Sequence, residues 1–179
     1  YNSNYEIVGV ITAPDKPAGR GQKVSISAVK EYALAKKLHL LQPTNLKAPE
    51  FLSELKALNA NLHVVVAFRM LPEAVWKMPK LGTFNLHGSL LPQYRGAAPI
   101  NWAVINGETE TGVTTFFLQH EIDTGSIIQQ TTMPIGTDDT AGEVHDRMMA
   151  LGAQLVLQTV KEIEQGTVTA TPQDMTGDY

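Results

Sequence analysis

The chain has 179 residues, 43% hydrophobic and 18% charged, which suits one domain with a sizeable core and excludes a disordered chain. Its formal net charge of −4 excludes nucleic-acid binding through overall charge, although a local basic patch can still bind phosphates. The absence of cysteine excludes disulfides, a thiolate nucleophile and a cysteine-ligated zinc site, and it fits a reducing compartment.

Strand-like and helix-like segments alternate along the first half of the chain. Apolar, β-branched runs predict strands, whereas Ser27 at a capping position and Pro49 at a first helical position each predict the start of a helix. The predicted strands cover residues 7–11, 38–42, 62–68 and 83–87, and the predicted helices cover residues 27–37, 49–58 and 71–78. Because residues 62–68 are almost all apolar, we expect that strand to be covered on both faces. The alternation predicts an α/β fold with a mostly parallel sheet.

The segment 14–23 interrupts this alternation. It contains two prolines, two glycines and three cations, Lys16, Arg20 and Lys23, against a single carboxylate. This composition predicts a loop without helix or strand. The residues alone leave two interpretations open: a solvated surface loop, or a basic hairpin that extends toward a partner carrying phosphates.

The predicted strand 83–87 carries the most informative pair of side chains. Asn85 and His87 lie two residues apart, so they project from the same face of the strand, and Gly88 then turns the chain into a loop. An amide and an imidazole that converge beyond a strand end can stabilise a carbonyl oxygen that becomes negative, and one such donor lowers a barrier by about 3–4 kcal/mol. Either residue alone would more often be an ordinary turn residue.

The second half of the chain departs from the parallel pattern. A helix over residues 99–106 precedes two strands, 112–119 and 126–134, whose tight connection predicts antiparallel pairing. A long helix follows Asp139, because Thr140 and Glu143 have capping-box spacing, and it ends at Gly166. His145 and Asp146 within it are predicted to be solvated. The polar tail after Ala170 is predicted to be a linker.

Asp123 lies in the turn between those two antiparallel strands. A carboxylate close to an imidazole favours the cationic ring, which donates from both nitrogens, and it can also accept a proton from an attacking amine. An aspartate before Thr-Gly is also a common turn former, so the pairing of Asp123 with His87 is a hypothesis.

Three motifs together resemble the folate-dependent formyltransferase family. They are Asn-Leu-His-Gly-Ser-Leu-Leu-Pro at 85–92, Tyr-Arg-Gly-Ala-Ala-Pro-Ile at 94–100, and Asp-Thr-Gly at 123–125. The segment 14–21 is similar to the loop of the methionyl-tRNA formyltransferase branch of that family. The resemblance extends from about Glu6 to Gly166, and it implies a Rossmann-like fold.

The resemblance also implies an activity and a set of site residues. The expected reaction moves a formyl group from 10-formyltetrahydrofolate, a co-substrate, to the α-amino group of initiator methionyl-tRNA, without a metal. Asn85 and His87 match the residues beside the oxyanion, and Asp123 matches the catalytic carboxylate. The implied folate-binding residues are Ser89, Leu90, Leu91 and Pro92, and the implied tRNA-binding residues are Lys16, Arg20 and Lys23. The resemblance thereby favours the phosphate-binding interpretation of the basic loop.

We expect two parts of the family pattern to be missing from the chain, a first strand and helix and a carboxy-terminal tRNA-binding β-barrel. The family begins with a further strand and helix, so we expect a fragment that lacks its first βα unit. Residues 1–170 would form the catalytic domain, truncated at its start, and residues 171–179 a linker toward a carboxy-terminal domain.

Other activities stay open at this stage. The alternatives are another folate-dependent formyltransferase or a formyltetrahydrofolate hydrolase, which could share the three catalytic residues, and a non-catalytic α/β domain that binds a ligand.

The apolar runs are far shorter than the roughly 20 residues that span a bilayer. We therefore expect a cytoplasmic protein without membrane contact, and we expect a monomer.

Overall fold

The computed structural model describes residues 4–18 and 23–176. Its contacts divide the chain into two units, Tyr1–Asn61 with Phe68–Lys80, and Leu62–Ala67 with Leu81–Tyr179. The strands are β1 Val10–Ile11, β2 Lys16–Ala18, β3 Lys23–Ser25, β4 Leu40–Leu41, β5 His63–Val66, β6 Thr83–His87, β7 Glu110–Phe117 and β8 Ile127–Pro134. The helices are α1 Ala28–Ala35, α2 Pro49–Ala57, α3 Glu73–Trp76, α4 Pro99–Ile105 and α5 Ala141–Gln165.

The described residues of the first unit include a short parallel strand pair and three helices. β1 pairs with β4, and α1 begins where the Ser27 side chain accepts a hydrogen bond from the backbone N–H of Lys30 at 3.1 Å. Pro49 is the first residue of α2, as predicted, because its missing N–H costs nothing there. The buried core of this unit consists of Leu41, Leu46, Phe51, Leu55 and Val75.

The basic segment of the first unit forms strands where the sequence predicted a loop. β2 and β3 pair antiparallel, with Lys16 opposite Ser25 and Ala18 opposite Lys23. A two-stranded ribbon has two open edges, so a proline in it need not remove a ladder hydrogen bond, and this explains why the prediction was wrong. Arg20 lies outside the described residues.

The second unit is built on a four-stranded sheet with the order β5-β6-β7-β8. β5 and β6 are parallel, while β6–β7 and β7–β8 are antiparallel, which confirms the predicted change of direction. The prediction that residues 62–68 are covered on both faces is wrong, because Val64 and Val66 are 44% and 54% exposed. Among the described residues, β5 pairs with β6 alone, and α5 packs on β7 and β8.

Helix α5 closes one face of this sheet. Thr140 and Glu143 form the predicted capping box, and Gly166 ends the helix in a left-handed conformation. The helix approaches the sheet closely, since a Cβ on Gly152 would lie 2.8 Å from Leu86 Cδ2. Thr159 and Thr115 share a buried hydrogen bond of 2.9 Å across the same interface.

The segment after α5 packs beside the start of β8 within the second unit. Thr171 and Ile127 exchange two backbone hydrogen bonds of 2.8 Å, and Gln173 is only 8% exposed. A linker role for residues 171–179 stays a prediction. Within residues 4–18 and 23–176, no helix is both long and apolar enough to span a bilayer.

Candidate active site

The register of β6 determines where the two predicted catalytic side chains lie. Asn85 pairs with Phe116 and His87 with Thr114 on β7, whereas Leu86 pairs with Thr115. Because Leu86 and Thr115 face α5, strand alternation directs Asn85 and His87 to the opposite face of the sheet. The helix therefore covers one face of β6, and the polar pair lies on the other.

The imidazole of His87 is buried between two hydrogen-bond acceptors. Its Nε2 lies 2.8 Å from the carbonyl oxygen of Tyr94, which can only accept, so Nε2 carries a proton. Its Nδ1 lies 3.6 Å from Oδ2 of Asp123. The structure thus brings His87 and Asp123 together, as the sequence predicted, and the hydrogen bond to the Tyr94 carbonyl fixes the direction of the ring.

The Asp123 loop is held in a conformation that few residues adopt. Asp123 has a positive φ of 53°, and its Oδ2 accepts the backbone N–H of Gly96 at 2.8 Å. Gly125 lies so close to the end of β7 that an added Cβ would be 1.6 Å from the carbonyl oxygen of Phe117. These close contacts and hydrogen bonds hold the Asp123 carboxylate against the His87 ring.

Asn85 has an acceptor without a partner. Its side-chain Oδ1 is buried and has no hydrogen bond within the described residues. Leaving a buried acceptor unsatisfied costs about 1–3 kcal/mol, so this atom suits a donor that arrives with a ligand. An amine N–H is such a donor. Asn85 therefore has the chemistry of a substrate contact.

The predicted folate-binding segment follows β6, and side chains of β7 and β8 hold its backbone. The Thr114 hydroxyl donates to the Ser89 carbonyl at 2.7 Å and accepts the backbone N–H of Leu91 at 3.1 Å. Gln130 donates to the Leu91 carbonyl and to the Thr114 hydroxyl, at 2.8 and 2.9 Å. These polar contacts hold the segment on β7 and β8.

The four side chains of that segment differ in exposure. Ser89 is fully buried, and its hydroxyl donates to the Gln93 carbonyl at 2.6 Å, while Leu91 is buried as well. Leu90 and Pro92 are half-buried. An apolar ligand surface would therefore meet Leu90 or Pro92 rather than the other two.

Tyr94 and Gly96 contact His87 and Asp123 through backbone atoms, and the sequence did not predict either contact. Tyr94 is anchored by its hydroxyl, which donates to Glu108 at 2.5 Å and accepts from Asn106 at 3.1 Å. The Glu108 carboxylate beside that hydroxyl raises the pKa of Tyr94 above its ordinary value of 10.0. The motif that contains both residues was visible, but a carbonyl or an N–H has no signature in residue type.

The predicted tRNA-binding residues lie in the first unit. Lys16 belongs to β2 and Lys23 to β3, and Arg20 is not among the described residues. In the part of the chain that the structure describes, no three His, Asp or Glu side chains form a group that could hold a metal ion.

The comparisons with solved structures identify the fold. Glycinamide ribonucleotide transformylase 1 from Symbiobacterium toebii superposes with a TM-score of 0.74 at 19% identity, over 84% of this chain and 77% of that chain. Phosphoribosylglycinamide formyltransferase from Anaplasma phagocytophilum gives a TM-score of 0.77 at 23% identity, over 94% and 82%. These likenesses confirm the predicted Rossmann-like α/β fold.

The sequence comparisons identify the family. Methionyl-tRNA formyltransferase from Flavobacterium johnsoniae is 65% identical over 98% of this chain and 56% of its own length. The protein of that name from Bacteroides fragilis is 64% identical over 95% and 52%. The chain thus spans about half the length of the curated relatives it matches. Because the formyl transferase family model matches residues 1–160, this chain belongs to the formyl transferase family.

Proposed function

We propose that the protein carrying this chain transfers a formyl group from 10-formyltetrahydrofolate to the α-amino group of methionyl-tRNA. One observation carries the choice of acceptor: relatives named methionyl-tRNA formyltransferase are 64–65% identical over at least 95% of the chain. The enzymes named for glycinamide ribonucleotide share 19–23% identity, which supports a common fold and not a common acceptor.

The site supports a direct transfer between two amines. The amine nitrogen forms a bond to the formyl carbon, the bond from that carbon to N10 of the folate breaks, and the proton lost by the amine is balanced by the one gained at N10. Asp123 is the proposed acceptor of the amine proton, since its carboxylate lies beside the site. No redox step is needed.

Asn85 and His87 are the proposed stabilisers of the oxygen that becomes negative. In the structure the Nε2–H of His87 donates to the Tyr94 carbonyl. The ring can therefore donate to a formyl oxygen only if the Nε2–H is shared between the two oxygens or if the formyl oxygen replaces the Tyr94 carbonyl as acceptor. We therefore propose that the Asn85 amide is the main hydrogen-bond donor to the formyl oxygen and that His87 is the second donor. Its Nδ1 side faces Asp123, which favours positive charge on the ring while the oxygen is negative.

The segment Ser89–Pro92 is the proposed folate contact. Thr114 and Gln130 fix its backbone, and Leu90 and Pro92 offer half-buried apolar surface of the kind that ligand pockets use. The basic segment 14–23, whose sequence contains Lys16, Arg20 and Lys23, is the proposed tRNA contact, because three cations suit a phosphate backbone.

An acceptor comparison tests this proposal. The protein is incubated with 10-formyltetrahydrofolate and, separately, with methionyl-tRNA, free methionine, glycinamide ribonucleotide or water. We expect rapid formylation of methionyl-tRNA and rates at least about 100-fold lower for the others, because the tRNA contributes binding energy that small acceptors lack. Preferential formylation of glycinamide ribonucleotide, or hydrolysis without an acceptor, would overturn the proposal.

The remaining expectations concern the whole protein. We place the activity in the cytoplasm, which the cysteine-free composition supports. The monomeric state and the catalytic domain over residues 1–170 stay predictions.

A further inference from the structure

Gln173 is a buried polar residue outside every helix and strand. It follows Thr171, whose backbone pairs with Ile127 at the start of β8, and its own exposed fraction is only 8%. A buried amide is costly unless its donors and acceptors are all satisfied. The contacts of Gln173 therefore show what the segment after α5 is attached to.

The Gln173 side chain uses all of its hydrogen-bonding capacity. Its Nε2 donates to the carbonyl oxygens of Asp123 and Gly125, each at 2.8 Å. Its Oε1 accepts from Nε and Nη2 of Arg95, at 3.1 and 2.8 Å. Because carbonyls only accept and a guanidinium only donates, the amide fits in one orientation alone.

The two segments joined by Gln173 are the ones that hold the catalytic pair. Arg95 lies between Tyr94, whose carbonyl accepts from His87, and Gly96, whose N–H binds the Asp123 carboxylate. The other side of the amide binds the loop of Asp123 itself. Gln173 thus ties the segment that orients His87 to the loop that carries Asp123.

The loop needs such support because its conformation is strained. Asp123 is held at a positive φ, and such a conformation persists only when the surrounding contacts enforce it. Two of those contacts come from the Gln173 amide.

We propose that Gln173 is a positioning residue for the transfer reaction. It holds the Asp123 carboxylate against His87 by tying the loop 123–125 to Arg95, and it touches no reacting atom. The kinetic part of this inference rests on the proposed function, whereas its structural part does not.

The variant Gln173→Glu tests the inference at nearly constant volume. It keeps an acceptor for Arg95 but places a carboxylate oxygen against two carbonyl oxygens, which repels the loop. The matched control is Gln158→Glu on the exposed face of α5, where the side-chain amide donates to the Glu162 carboxylate at 3.3 Å. Gln173→Ala serves as a milder second variant if the glutamate prevents folding.

The kinetic readout separates kcat from KM in the whole protein. We expect kcat to fall by about 10- to 100-fold in Gln173→Glu, since a small displacement of a catalytic group has an effect of this size. KM for methionyl-tRNA should stay within about twofold, and Gln158→Glu should match the wild type. A lower melting temperature with unchanged kcat would overturn the positioning role.

The structural readout does not depend on activity. Hydrogen exchange at the Gly96 N–H reports its bond to Asp123, and we expect it to accelerate by about tenfold or more in Gln173→Glu and to stay unchanged in Gln158→Glu. Unchanged exchange in a folded Gln173→Glu or Gln173→Ala variant would overturn the inference. If the wild type formylates none of the acceptors, the proposed function fails, and Gly96 exchange still tests the role of Gln173.

Discussion

Two His–Asp pairs in this chain differ in almost every property except residue type. His145 and Asp146 are neighbours on α5, with 3.2 Å between Nδ1 and Oδ1, and their side chains are 56% and 75% exposed. His87 and Asp123 come from separate segments, are 3.6 Å apart, and are only 8% and 12% exposed. The shorter distance belongs to the pair on the helix surface.

The difference shows that distance alone does not identify a catalytic pair. Water and salt screen the interaction between His145 and Asp146, so this exposed pair contributes little energy. In the buried pair, the Tyr94 carbonyl fixes the ring and the Gly96 N–H fixes the carboxylate. The site on β6 is distinguished by its burial, by its fixed orientation and by the Asn85 Oδ1, which has no hydrogen-bond partner among the described residues.

Replacing each histidine in turn gives the largest contrast that we expect. His87→Gln should lower kcat/KM for methionyl-tRNA by about 10³-fold, which corresponds to a barrier raised by about 4 kcal/mol. The reason is that glutamine has no ring that could carry positive charge beside the oxyanion. His145→Gln should change it by less than about twofold, as a surface substitution. Steady-state formylation of both variants measures the contrast, and losses of similar size would remove the distinction.

A matched pair of glycine substitutions tests how firmly the Asp123 loop is held. Gly125→Ala should destabilise the protein by about 3 kcal/mol, because its Cβ would lie 1.6 Å from the Phe117 carbonyl oxygen. Gly142→Ala on α5 meets only the Thr140 hydroxyl, at 3.8 Å, and should be neutral or stabilising by up to about 1 kcal/mol. Denaturant unfolding gives both values. Equal stability of the two variants would show that the loop is loosely packed.

A third carboxylate, that of Asp139, differs from both because its partner is permanently charged. Asp139 accepts the N–H of Gly136 at 2.6 Å, as Asp123 does from Gly96, but it pairs with the guanidinium of Arg147. That guanidinium, and then the Gly136 N–H, lower the pKa of Asp139 below its ordinary 3.8. The ionised group therefore stabilises the fold above pH 3.8, and this contribution is lost as the pH falls through the lower folded value.

Asp139→Asn should accordingly show the smallest effect, and one on stability alone. We expect a modest loss of stability at pH 7 that shrinks as the pH falls below 3.8, with turnover unchanged. Urea unfolding of both proteins at pH 7, 5 and 3.5 measures it. A stability difference that is the same at all three values would argue against the ion pair.

Local signals predicted much of the fold. The range 83–87, the capping box of Thr140 and Glu143, and the helix starts at Ser27 and Pro49 were confirmed, because each depends on residues close in sequence. The ribbon of β2 and β3 was missed, since its composition resembles a loop and its pairing is a tertiary choice.

The site was only partly predictable. Asn85, His87 and Asp123 could be named from chemically distinctive side chains within motifs. Their supports could not, because the Tyr94 carbonyl and the Gly96 N–H are backbone groups. Gln173 contacts Asp123 across 50 residues of sequence, and nothing in the tail composition indicates that contact.

Substitution of the two aspartates in parallel tests whether formyl transfer depends on the buried His87–Asp123 pair and not on the exposed pair of α5. N-formylmethionine on tRNA is quantified after incubation of Asp123→Asn and Asp146→Asn with 10-formyltetrahydrofolate and methionyl-tRNA, with folding checked by circular dichroism. We expect a rate about 10³-fold below wild type for Asp123→Asn and a wild-type rate for Asp146→Asn. A folded Asp123→Asn protein that formylates methionyl-tRNA at the wild-type rate would contradict this expectation.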